Sequence, residues 1–186
     1  MRNPLNAMQI LFINVIMDGP PSQSLGVDPV NKTVMKRPPR PKNAPVITHR
    51  LLSRVLFSAS IIITGVLFIY AYEIGDGFST RDQTMTFTAF VVLDLASALQ
   101  NRGVTCGFGD NKMLLTTVGV SLFAQMCFVY IPALQAVFQT EALALRDLGV
   151  LATLVLFSIA LHEVRRRWER EQERKDALFS FSNDDV

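Results

Sequence analysis

The sequence predicts an all-α membrane protein of about five transmembrane helices, the first of them broken at Asp18-Gly19-Pro20-Pro21. Composition is the first reason: the 186 residues are 49% hydrophobic and only 18% charged, with a mean hydropathy of +0.29. The second is spacing. Charges are bunched between apolar runs rather than scattered through them, and most runs approach the ~20 residues that an α-helix needs to cross hydrocarbon. The third is the sign of the connecting segments, which alternates as the positive-inside rule requires. The net charge of +2 is uninformative beside that pattern. Cys106 and Cys127 cannot form a disulfide framework, and no Cys/His spacing resembles a zinc site.

The first run, Leu5–Met17, has the length of a signal-peptide core. It carries Asn14 within it, however, and runs into Asp-Gly-Pro-Pro rather than a small-x-small cleavage site. Asn14 and Asp18 are four apart and stack on one face of a helix. A carboxylate at membrane depth costs about 2.5–3.5 kcal/mol even on the lenient scale, so it needs a partner or a cation. Pro20 and Pro21 lack N–H donors, which predicts freed carbonyls around residues 16–17. An amide oxygen, a carboxylate and freed carbonyls make a hard-oxygen site suited to Ca²⁺, Mn²⁺ or Mg²⁺. The competing reading is a solvated turn closing a short buried segment. Periodicity alone does not separate the two.

A proline-rich linker, Asp28–His49, follows. Between Val27 and Leu56 stand Lys32, Lys36, Arg37, Arg40, Lys42, Arg50 and Arg54 against the single acid Asp28. No aromatics interleave with them, which argues against nucleic acid; the patch reads as a cytoplasmic loop. The second run, Leu51–Tyr72, is of spanning length and ends in Tyr70 and Tyr72, an interfacial belt. The acidic loop Glu73–Asp82 then lies on the opposite side. The third run, Thr84–Leu99, contains a second intramembrane acid, Asp94. Such a residue is either a functional group facing the bundle interior or a structural hydrogen bond to a neighbouring helix. The fourth run, Met113–Ile131, contains Gln125, and the short loop Ala133–Asp147 follows it. The fifth, Leu148–Leu161, stops at His162, read as a helix-end residue, with Arg165–Arg167 on the cytoplasmic side and Trp168 as anchor. Residues 169–186 form a charged cytosolic tail, a fraying helix with a disordered end.

The stretch Asn3–Val30 closely resembles the sixth transmembrane helix of P-type Ca²⁺-ATPases, and within them the secretory-pathway (Golgi) Ca²⁺/Mn²⁺ pumps. The similarity continues through Lys36-Arg-Pro-Pro-Arg40, Thr80–Thr88, Tyr130-Ile-Pro132 and Val137–Glu141, covering residues 1–168 as helices six to ten. The resemblance implies that Asn14 and Asp18 are cation ligands of a single transport site, and that Gln23 is a selectivity position linked to Mn²⁺. Asp94 falls where two-site pumps carry a polar residue, as a polar intramembrane contact. Met17 stands where two-site pumps have Thr, which fits a single site. Phe12, Ser22 and Ser97 depart from the family's usual Trp, Ala and Asn.

The Asp-Lys-Thr-Gly phosphorylation motif, the Thr-Gly-Glu loop and the Pro-Glu-Gly-Leu-Pro ligand segment do not occur, and no phosphate cradle replaces them. No catalytic residue is expected in the chain. The expectation is a fragment that does not hydrolyse ATP alone, with ATP and Mg²⁺ serving only the complete pump. Its partners would be the lipid bilayer and the missing N-terminal half, in a Golgi or other secretory-pathway membrane. The alternative is a truncated, non-catalytic membrane protein that associates with pump or channel subunits.

Overall fold

The computed structural model describes residues 5–27, 47–73, 79–101 and 111–184. Most of the basic linker, the acidic stretch 74–78 and Cys106 lie outside the described residues. Within them the chain is helical, with α1 (Ala7–Phe12), a π turn (Ile13–Met17), α2 (Gly19–Leu25), α3 (His49–Glu73), α4 (Thr80–Gln100), α5 (Lys112–Tyr130), α6 (Pro132–Phe138) and α7 (Leu145–Asp184). Leu51–Tyr72, Lys112–Tyr130 and Leu145–Gln172 are long and apolar enough to cross a bilayer. This is an all-α membrane fold.

The direction of each rod follows from the bonds at its ends. Asn111, which caps α5 by accepting from the Leu114 N–H, donates from Nδ2 to the Ser24 carbonyl at 2.7 Å. Asn6 and Gln9, at the start of α1, donate to Gln139 Oε1 and the Phe138 carbonyl just past α5. The α1–π–α2 rod therefore runs antiparallel to α5. Arg54 near the start of α3 forks onto Glu169 of α7, at 3.0 and 2.7 Å, so those two are antiparallel. Arg81 at the start of α4 pairs with Asp147 at the start of α7. The five rods alternate in direction.

α4 lies at the centre. Thirteen of its 21 residues are buried, and it packs against α3, α5, α7, α2 and the π turn. Its start is well defined: Ser79 accepts from the Asp82 N–H and Asp82 Oδ2 accepts from the Ser79 N–H at 2.7 Å, a reciprocal capping box. The polar side chains along it are consumed locally. Thr84, Thr86 and Thr88 donate to the carbonyls one turn back at 2.8–2.9 Å. Thr84 Oγ1 also accepts from the Glu141 N–H, and Thr88 Oγ1 accepts from Gln125 Nε2.

Two expectations are corrected here. The segment read as the loop Ala133–Asp147 contains α6, whose C-cap Gln139 adopts a left-handed φ of 53°. His162 is not a helix end: α7 continues as one 40-residue helix, supported past the membrane run by Arg165–Glu169 and Arg167–Glu163 pairs one turn apart. His162 is fully buried and its ring meets Phe57 edge-on at 5.6 Å.

Gly65 allows α3 to approach α4 closely. A Cβ there would meet Leu93 Cδ1 at 2.7 Å and Leu154 Cδ2 at 3.3 Å, and Leu93 is itself only 1% exposed. Gly65→Val should therefore destabilise the bundle by about 1–3 kcal/mol through overpacking, read as a lowered thermal midpoint in detergent. An unchanged midpoint would show that this contact is not tight.

Candidate functional site

The π turn sets the position of the two residues of interest. Pro20 and Pro21 offer no N–H to the carbonyls four residues earlier, so an α ladder cannot run through them. The chain answers by re-registering. The Asp18 N–H reaches back five residues to the Ile13 carbonyl at 3.0 Å, and Asp18 then caps α2. The prolines fall in the first turn of α2, where the missing donors have no intrahelical role. The helix is interrupted at Asp18, between the π turn and α2, and the Asp18 carbonyl re-enters the ladder by accepting from the Ser22 N–H at 3.2 Å. π turns of this kind occur mostly inside α-helices at functional sites.

Packing holds the turn from one side. Phe12, Ile13 and Met17 are buried with Phe87, Val91, Leu95, Leu114 and Val118. Phe12 lies edge-on to Phe128, Phe138 and Phe87, with centroids 4.4, 5.7 and 6.2 Å away. Met17 is 1% exposed in this cluster, so its thioether faces the core and not the site. The opposite side of the rod is open, and Asn14 and Asp18 are both exposed on it.

Asp94, half-buried on α4, lies near enough to Asp18 for the two carboxyl groups to interact. Two carboxylates brought together repel each other, and a bound cation relieves that repulsion. The structure therefore brings Asp18 and Asp94 together, with Asn14 exposed four residues before Asp18 on the same rod. Their oxygens are the donor type that hard divalent cations take, but Ca²⁺ requires six to eight such ligands. No cluster of three or more His, Cys, Asp or Glu side chains suited to a metal occurs among the described residues.

Gln23 is not part of this group. It is exposed on α2, five residues beyond Asp18 and about 140° around the helix from it. Ser97 finds an explanation in the fold: it is buried, and its hydroxyl accepts from Asn101 Nδ2 at 3.2 Å, while Asn101 Oδ1 accepts from Ser58 of α3. The phenylalanine cluster is the supporting element that sequence reasoning missed. Its members come from four separate elements and carry no local signal.

An alternating helical bundle whose central helix carries a carboxyl group beside a re-registered helix is the membrane domain of an integral membrane protein. The chain belongs to the cation-transporting ATPase family: residues 2–168 match the family described as cation transporting ATPase, C-terminus. It is 46% identical to calcium-transporting ATPase 1 of Saccharomyces cerevisiae over 97% of its own length and 20% of that protein. It is 44% identical to the human calcium-transporting ATPase type 2C member 1, over 92% of this chain and 19% of that one. The murine type 2C member 2 is 47% identical over 90% of this chain and 18% of its own length. The chain spans about a fifth of the length of these relatives.

Phe12 is the hinge between core and site. Phe12→Ala should cost about 3–5 kcal/mol by removing the ring shared by three partners, measured as a drop in thermal stability in detergent. A loss under 1 kcal/mol would mean that the π turn is held by other contacts.

Proposed function

We propose that this chain is the membrane portion of a Ca²⁺- or Ca²⁺/Mn²⁺-transporting P-type ATPase and that Asn14 and Asp18 supply ligands to its cation transport site. The observation that carries the reading is the exposed Asn14/Asp18 face beside the Asp94 carboxyl group. The transported ion is the substrate, and its remaining oxygens come from the N-terminal half of the pump. ATP and Mg²⁺ act on that half, in cytosolic domains that this sequence does not include. The similarity to calcium-transporting ATPases supports Ca²⁺ as the cargo.

In this reading Asp94 is a second negative group beside the ion, even in a pump with a single site. Its contact with Asp18 is the basis for that role. Gln23, on the next helical turns toward the cytoplasm, bears on Mn²⁺ selection without touching the carboxyl pair. In this reading the α3 start, Arg165–Arg167 and the residue 169–186 tail are cytosolic, which the positive-inside pattern supports, and the membrane is that of the Golgi or another secretory-pathway compartment.

The test is ATP-driven ⁴⁵Ca²⁺ uptake into vesicles carrying the full-length pump with this sequence. Asp18→Asn should abolish uptake at unchanged protein level; retained uptake would overturn the assignment. Asp94→Asn should weaken half-saturation by Ca²⁺ roughly five- to tenfold, the scale of one charge lost at the edge of a partly buried site. An unchanged half-saturation would reduce Asp94 to a structural hydrogen bond.

The selectivity role is checked separately. Gln23→Ala should alter the ratio of Mn²⁺ to Ca²⁺ uptake while leaving total Ca²⁺ transport within about twofold, since Gln23 lies off the face that carries Asp18. An unchanged ratio would remove Gln23 from the selectivity mechanism.

A further inference from the structure

Asp18 stands at a joint. It is the N-cap of α2, so any tilt or rotation of the seven-residue helix Gly19–Leu25 pivots about the residue that carries the carboxyl group. The turn before it is held, because Phe12, Ile13 and Met17 are buried in the core. A helix as short as α2 is not stable alone, and its sequence gives it little to bury. Pro21 is buried and Leu25 packs half-buried against the core, while Ser22 and Gln23 are exposed. A Cβ placed at Gly19 would have no packed neighbour within 4 Å among the described residues. The stance of α2 therefore depends heavily on how its far end is tied.

At that end one side chain serves two helices. Ser24 is fully buried, and its carbonyl belongs to the last turn of α2, where acceptors lack helical partners. It accepts from the Val27 N–H at 3.2 Å and from Asn111 Nδ2 at 2.7 Å. Asn111 Oδ1 accepts in turn from the Leu114 N–H at 2.9 Å, one of the orphan donors at the start of α5. Asn111 is only 4% exposed. An amide offers a donor and an acceptor on one planar group, whereas a carboxylate could cap α5 but could not donate to Ser24. The Ser24 hydroxyl adds a second tie: it donates to the Pro21 carbonyl at 2.7 Å and accepts from Thr117 Oγ1 of α5 at 3.1 Å. Buried hydrogen bonds thus lead from the start of α5 through Ser24 to Pro21, three residues from Asp18.

We propose that Asn111 is a positioning residue for the cation: by tying the end of α2 to α5 it sets where Asp18 stands relative to Asn14. Asn14 lies in the turn that the core holds, and Asp18 heads the helix that Asn111 holds. An ion shared by the two oxygens senses any change in their separation, since its ligand distances span only a few tenths of an ångström. The inference rests on the reading of Asn14 and Asp18 as ligands. It gives α5, to which that reading assigns no ligand, a part in setting affinity.

The test uses the full-length pump with this sequence and two variants that keep the α5 cap. Asn111→Asp retains the acceptor for the Leu114 N–H and loses the donor to Ser24; Asn111→Ser also caps well but is too short to reach Ser24. In both, half-saturation of ⁴⁵Ca²⁺ uptake should weaken roughly two- to tenfold, the scale of one net hydrogen bond, with a smaller change in maximal rate. Amide hydrogen exchange over residues 22–27 should quicken by a similar factor. Thr117→Val, which trims the second tie without touching the cap, should shift half-saturation in the same direction and carries the test if the Asn111 variants do not accumulate. Faster exchange with unchanged half-saturation would leave the bond purely structural and overturn the proposal. Unchanged exchange would overturn it as well, by showing that α2 is held elsewhere. Asp18→Asn, run alongside, separates the two readings. Uptake retained there removes the ligand assignment and this proposal with it. Uptake abolished there, with half-saturation unchanged in the Asn111 variants, removes the positioning role alone.

Discussion

A helix that carries four threonines, two aspartates and two glutamines can sit at membrane depth only where protein surrounds it. α4 is that helix, and this constraint arranges the bundle. Its neighbours provide the apolar exterior that α4 lacks: α3, α5 and α7 present most of their large hydrophobic side chains outward. Its own hydroxyls are turned back onto its backbone or bonded to Gln125 and to the Glu141 amide. What remains is Asp94, whose carboxyl group no backbone can absorb, and it faces the one rod whose helix has been re-registered.

The π turn and the central helix are two halves of one arrangement. Pro20 and Pro21 force a change of hydrogen-bond register in the first rod, and the five-residue step places Asp18 at the seam between a π turn and a new α-helix. The phenylalanine cluster pins the other face of the same turn, so the seam is rigid on its core side and open on its polar side. Rigid backing with an open oxygen face is what a site needs if it is to be completed by groups from another part of a protein.

Much of this was legible from the residues alone. The apolar runs gave the helices, the charge alternation gave their directions, and the Asn14/Asp18 spacing with the following prolines marked the candidate site that the proposal builds on. The rest was not legible for physical reasons. α6 is seven residues long and too short to show a period. The continuation of α7 past His162 rests on ion pairs within a charged segment that also suits a disordered tail. The register shift near residue 13 was not legible either, although the freed acceptor expected near residue 16 stands, since neither Pro20 nor Pro21 can donate to the Ile16 carbonyl in an α or a π step. The Asp18–Asp94 contact joins residues far apart in the chain, and no local pattern encodes it.

The polarity of α4 also bears on how the protein is made. α3 and α5 are apolar enough to enter a bilayer on their own account, and α4 is not among the helices that meet that condition. A nascent α4 arriving alone would expose Asp94 and its threonines to lipid before any neighbour could cover them. Its insertion is therefore tied to α3 ahead of it, close-packed through Gly65 and Leu93, and is consolidated when α5 delivers Gln125 to Thr88. The same side chains that build the centre of the finished bundle make its assembly sequential, with the most polar helix waiting on the least polar ones.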